Sequence, residues 1–239
     1  AGNVLGGVAI HAIVEWNNLV IFAGDDGRIG CYDIKYNKWH PYNEASSGTN
    51  KKNFRDPDVG DSSGYVIKGD TLLGSYMDPI DGVTKKCAIR GLKIIERTVN
   101  GIKYQILLAF GDMGRLVCCK LATNTWNKFD GSNQDNSGGV TVYYSNGRCI
   151  NNGSNEYNAL YTCQDYTVTT VSPNGTTLEK QYLLFAGGAG RICSLSLDEG
   201  YAGWRNFDSD VGTRSRENIF SVIRGAERFE SGRSYVQVF

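Results

Sequence analysis

Catalytic imidazole is scarce in this chain of 239 residues: His11 and His40 are the only histidines, and each reads more simply as a structural or surface side chain than as a general base. No phosphate loop, His-Glu-x-x-His helix or Ser-x-Asp-x-Gly-x-Thr-Trp box occurs. Nothing singles out the facing carboxylate pair that glycoside hydrolysis needs. Charge surplus is missing as well. The 25 basic residues match the 25 acidic ones, so no overall attraction to nucleic acid or to an anionic membrane is expected. No apolar run approaches the ~20 residues that cross a bilayer, and no signal peptide is visible. The chain begins at alanine, which leads us to expect a processed product or a piece of a larger protein.

Helix-period apolar runs are nearly absent, while glycine is plentiful at 30 residues, the composition of many tight turns. Seven cysteines form no Cys-x-x-Cys pair. Cys31, Cys118, Cys119 and Cys193 fall inside apolar strands, where a free thiol behaves as a small hydrophobe. This predicts folding in a reducing compartment, as for cytoplasmic proteins or for virion proteins assembled before release. Asn152-Gly-Ser and Asn174-Gly-Thr are glycosylation sequons, but Asn-Gly turns generate that pattern by chance.

What is present is a repeat. An apolar strand, a glycine turn ending in arginine, a second strand and a tryptophan occur at 19–39, 106–126 and 183–204. Trp39 and Trp126 follow Arg28 and Arg115 at one interval, and Trp204 follows Arg191 with two residues added. Each tryptophan should open an outer strand. Upstream strands turn at Asn17-Asn18, Asn100-Gly101 and Pro173-Asn174-Gly175, and Asn-Gly between alternating runs is a hairpin signal. After each turn, Tyr32 and Ile34, Cys119 and Leu121, and Leu195 and Leu197 share one face, with Asp33, Lys120 and Ser196 on the other.

Each copy therefore reads as four antiparallel strands in sequential order, one blade of a propeller. The intervals leave room for a weaker blade between each strong pair, with remnants at Tyr65–Tyr76, Gly147-Arg148 and Gly232-Arg233. Units of about 40 residues then give six blades, with five as the alternative. The expected architecture is an all-β, single-domain propeller over 1–239, its ring closed by the N-terminal stretch Val4–Val8.

The stretch Phe22–Trp39 resembles the blade consensus of kelch and quinoprotein-type propellers: an apolar strand, a glycine turn, a Tyr-Asp strand and a closing tryptophan. It departs from kelch in lacking a consistent Gly-Gly, and from quinoproteins in lacking Thr-Gly before the tryptophan. The resemblance implies fold and carries no function, because propellers host enzymes, lectins and scaffolds alike.

Two sets of residues are candidate ligand contacts. Arg28, Arg115 and Arg191 would stand on one face of the disc, where guanidinium forks match phosphate, sulfate or carboxylate. The plainer reading pairs them with Asp25, Asp26 or Asp112. Trp39, Trp126 and Trp204 could stack sugars, although tryptophans at this position commonly pack between blades. The acidic loops at Asp56, Asp58 and Asp61 and at Asp78 and Asp81 match no complete calcium pattern, and turn formation explains them. Together with 46–53 and 130–139, they are polar insertions of the kind that meet partners.

The sequence thus predicts a non-catalytic interaction or structural module with protein partners, for example a virion component of a phage tail or fibre. No cofactor, metal, nucleic acid or membrane is expected. A carbohydrate-binding propeller lectin is the alternative, and a propeller glycoside hydrolase ranks behind it.

Overall fold

A computed structural model describes residues 5–40, 72–78, 80–99, 101–121, 125–127, 159–187, 192–197, 204–206, 222–224 and 236–238. The described chain is all-β. Three four-stranded antiparallel sheets run in chain order: β1 (Ile10–Trp16), β2 (Leu19–Gly24), β3 (Ile29–Asp33) and β4 (Lys38–His40) form the first. Two short strands, β5 (Ser75–Met77) and β6 (Thr84–Lys86), pair with each other. The second sheet holds β7 (Ile89–Val99), β8 (Ile102–Gly111), β9 (Leu116–Lys120) and β10 (Thr125–Asn127). The third holds β11 (Leu160–Val171), β12 (Thr177–Gly187), β13 (Ile192–Ser196) and β14 (Trp204–Asn206), and β15 (Val222–Arg224) pairs with β16 (Val236–Val238). As the repeat predicts, each tryptophan lies in its sheet's outer strand, and each first strand is the opposite edge.

The turn between β2 and β3 shows why the repeat carries Gly-Arg. Arg28 N donates to Asp25 O at 3.1 Å, and Gly24 N donates to Arg28 O at 3.1 Å. Both central residues are left-handed, Asp26 at φ 59° and Gly27 at φ 66°. This is the type I′ geometry that matches strand twist. The second sheet repeats it with Met113 at φ 62° and Gly114 at φ 63°.

The first strands lie side by side in the order β1, β7, β11, β15. One apolar core joins sheets one and two through Ile21, Ile29 and Cys31 on one side and Leu107, Val117 and Cys119 on the other. A second core joins sheets two and three through Leu108, Leu116 and Cys118 against Phe185, Cys193 and Leu195. Consecutive residues of β9 thus serve opposite cores. That is why Leu-Val-Cys-Cys reads as an unbroken apolar run, as strands buried on both faces do.

Three expectations are corrected. The strong copies are neighbours through shared cores, with no other strand between them among the described residues, so the expected alternation of strong and weak blades does not hold there. The closing strand is also absent from the described part of Val4–Val8: Leu5–Gly7 form a turn, with Leu5 buried against Val8 and Phe22. Finally, Asp33 lies on the buried side of β3 at 4% exposure, while Ile34 is 49% exposed. Asp33 Oδ1 accepts from Tyr36 N at 3.1 Å and so shapes the link to β4. Of the weaker candidates, Tyr76 pairs with Lys85 in the β5–β6 hairpin. Residues 65–71, 147–148 and 232–233 lie outside the described residues.

Candidate functional site

A β-bulge interrupts the first hairpin of every large sheet at the same place. Register shifts fall between Ile10 and Ala12, between Ile89 and Gly91, and between Leu160 and Thr162. The extra residues are His11, Arg90 and Tyr161. A bulge re-aims the side chain it carries, and here it places three different polar groups at the turn end of adjacent first strands. The glycines that end β2, β8 and β12 make room, since the carbonyls of Ala9, Ala88 and Ala159 press against Gly24, Gly111 and Gly187.

The turn aspartates complete the cluster. His11 Nε2 lies 2.6 Å from Asp25 Oδ1. Arg90 Nε donates to Asp112 Oδ1 at 2.8 Å, and Ala88 N donates to Asp112 Oδ2 at 2.9 Å. Arg90 Nη1 then crosses to the first sheet, 2.8 Å from His11 Nε2 and 3.7 Å from Asp25 Oδ1. His11 Nε2 serves one of these two partners at a time, donating to Asp25 or accepting from Arg90, and in either case Arg90, set between Asp112 and Asp25, spans two sheets. In sequence, Gly188 of the third copy aligns with Asp25 and Asp112.

The Gly-Arg arginines face their own fold. Arg28 Nη1 donates to Leu5 O at 3.0 Å and to Gly6 O at 3.2 Å, with Nη2 3.3 Å from Asp26 Oδ2. Arg115 Nη1 donates to Leu73 O at 2.7 Å and Ser75 O at 3.0 Å, and lies 3.3 Å from Cys87 Sγ. The pairing with a turn aspartate expected from sequence occurs at Arg28. At Arg115 the partners include two main-chain carbonyls and a thiol. Arg191, like Arg148 and Arg233, lies outside the described residues.

Trp39 is 38% exposed and rests on aromatic neighbours of its own sheet, Tyr32 at 4.6 Å and Phe22 at 5.8 Å between ring centroids. Trp126 and Trp204 occupy the matching outer strands. Asp78 and Asp81 both engage Lys85 Nζ, which lies 2.9 Å from Asp81 Oδ2, and each carboxylate also accepts a hydrogen bond from its own turn. Lys85 and these turn contacts hold both carboxyls below the usual aspartate range. Asp56, Asp58 and Asp61 lie outside the described residues. Among the described residues no group of three His, Cys, Asp or Glu side chains is arranged to hold a metal ion. Cys31, Cys87, Cys118, Cys119, Cys163 and Cys193 form no disulfide and are buried. Burial pushes Cys31 up to about 12 and Cys87 up to about 11, the latter offset in part by Arg115.

Asp25 and Asp112 entered the sequence reading only as partners for the turn arginines, and Arg90 did not enter it. One signal could have exposed the cluster: Ala9-Ile-His, Ala88-Ile-Arg and Ala159-Leu-Tyr put a polar residue two places after an alanine at the start of each copy.

No protein-family model matches this chain, and no curated protein matches it. A crystal structure of the computationally designed Ika8 protein matches 97% of this chain and 70% of that one at 13% identity, with a TM-score of 0.26. A score that low carries no argument about fold or function. Among the described residues no helix is long and apolar enough to cross a membrane.

Proposed function

We propose that this chain is a non-catalytic interaction or structural module built as a β-propeller, of the kind that serves in virion tails and fibres. One observation carries the reading. The guanidinium groups of Arg28 and Arg115, the best candidates for ligand contact, are engaged by carbonyl oxygens of their own chain. The neighbouring cluster behaves alike: Arg90 ties the first two sheets together, and Asp25 and Asp112 both lie against it. The side-by-side order of the first strands supports the propeller. The module reading predicts association of the purified chain with a second copy or a larger partner, together with silence on panels of glycosides and esters. A strictly monomeric chain that binds a small ligand saturably would overturn it.

A second reading, carbohydrate binding, is favoured by the Phe22–Tyr32–Trp39 surface, where an exposed indole is already backed by two rings. Its test is a glycan array probed with wild type and with Trp39→Ala. Sugar binding lost in the variant supports it, and an array silent for wild type dismisses it.

A further inference from the structure

The first-to-second-strand hairpins differ in reach. The first closes directly at Asn17-Asn18, whereas β11 and β12 continue far beyond the rest of their sheet. Among the described residues β13 pairs with β12 from Tyr182 to Ala186 and Leu197 N donates to Gln181 O, and beyond that point Thr167–Val171 and Thr177–Gln181 continue as a ribbon of two strands. At about 3.3 Å per residue it projects about 17 Å. Its root is fixed: Tyr166 stacks on Tyr182 at 5.3 Å, and Gln181 Nε2 donates to Glu96 O of the neighbouring sheet at 2.7 Å. Its tip is a compact turn, with Gly175 N donating to Ser172 O at 2.8 Å and Ser172 N to Thr176 O at 2.9 Å. Val171 is 69% and Leu178 53% exposed.

Two features make the ribbon's outer edge unusual. β11 is the edge of its sheet, and no strand among the described residues pairs with Thr167–Val171 except β12. Isolated ribbons are marginal in water, and exposed edges are normally guarded by lysine, proline or a bulge. Here the edge segment is Thr-Val-Thr-Thr-Val, β-branched throughout and uncharged, while the matching strand of the second sheet carries Glu96 and Arg97. An edge so furnished is stabilised by another strand.

We propose that this ribbon is an assembly arm that adds, edge to edge and antiparallel, to the same ribbon of a second copy. The occupant follows from the sequence of the edge. An antiparallel pair centred on Thr169 sets Thr167 against Val171, Val168 against Thr170 and Thr169 against itself, so every cross-strand pair joins β-branched residues and none opposes like charges. That self-complementarity is what a two-fold interface requires. The inference rests on the module reading and names its contact surface.

Sedimentation velocity on the full chain tests it, with far-UV circular dichroism as the check on folding. Wild type should sediment as a concentration-dependent dimer. Thr169→Lys sets two ammonium groups against each other across the two-fold and should weaken association at least about tenfold. Thr169→Glu should do the same, and an equimolar mixture of the two should reassociate. Ile102→Lys, on the neighbouring ribbon, should leave dimerisation unchanged. A monomeric wild type, or a Thr169→Lys chain that dimerises as well as wild type, overturns the arm. The module reading itself falls only if the monomer also binds a small ligand or turns over a substrate.

Discussion

Gly111 passes so close to Ala88 that a β-carbon on it would lie 2.1 Å from the Ala88 carbonyl oxygen. The same approach recurs at Gly24 with Ala9, where the distance would be 1.8 Å, and at Gly187 with Ala159, where it would be 2.0 Å. The obstacle in each case is backbone, so no flexible side chain can yield. Asp112 N donates to that same Ala88 oxygen at 3.1 Å, which fixes the turn that presents Asp112 to Arg90. Gly111→Ala should therefore destabilise by about 2–3 kcal/mol, at the upper end for overpacking. Urea denaturation with an unchanged slope is the measurement. A loss below about 0.5 kcal/mol would contradict the close approach.

Arg115 offers a test that separates a structural arginine from an anion receptor. Its Nη1 bonds to Leu73 O and Ser75 O hold the segment that precedes β7. Arg115→Gln removes those charge-assisted donors and should cost about 2 kcal/mol of stability, with or without phosphate or sulfate present. If instead wild type gained several degrees of Tm from millimolar phosphate and the variant did not, the turn arginine would be a ligand contact.

The hairpins were legible because local chemistry specifies them. Asn17 takes φ 53° and Gly101 takes φ 76°, the left-handed residues that short turns demand. The neighbour relations were not, because a gap in sequence fixes no distance in space, and the long intervals suggested intervening blades. The corrective signal lay in Leu116-Val-Cys-Cys: a strand with one wet face would have alternated, and this one does not. Arg90 was hidden for a related reason. A bulge shifts the period by one residue, so a side chain that is unpaired in the sheet looks, in sequence, like an ordinary polar position between Ile89 and Gly91.

Stability should fall on the alkaline side, and the sign follows from the thiols. An unfolded cysteine ionises near about 8.5, while burial lifts Cys31 to about 12 and Cys87 to about 11 in the folded chain. The folded state then holds protons that the unfolded state releases. The contribution is fully present below about pH 8.5 and is lost as pH rises toward the folded values. Melting temperature should therefore decline between pH 8.5 and pH 11, where Tyr76 and Tyr166, also raised by burial, add to the loss at the upper end. Cys31→Ala should melt lower at pH 7 yet lose less between pH 7 and pH 10 than wild type. Parallel curves would show that the Cys31 thiol is not the group responsible.

The link between His11 and Arg90 is the most direct measure of how the first two sheets dock. The two residues are distant in sequence, sit on separate sheets and approach to 2.8 Å, with Asp25 beside both and Asp112 holding Arg90. Residues in one hydrogen-bonded network are energetically coupled, whereas independent sites are additive to within about 0.5 kcal/mol. A double-mutant cycle with His11→Ala and Arg90→Met should return a coupling of about 1 kcal/mol. Arg90→Lys keeps the charge but loses the planar fork that serves Asp112 and His11 together, so it should recover less than half of the loss. A coupling indistinguishable from zero would mean that the first and second sheets are not held at their inner strands by this contact, and the radial docking on which the proposed module depends would lose its polar anchor.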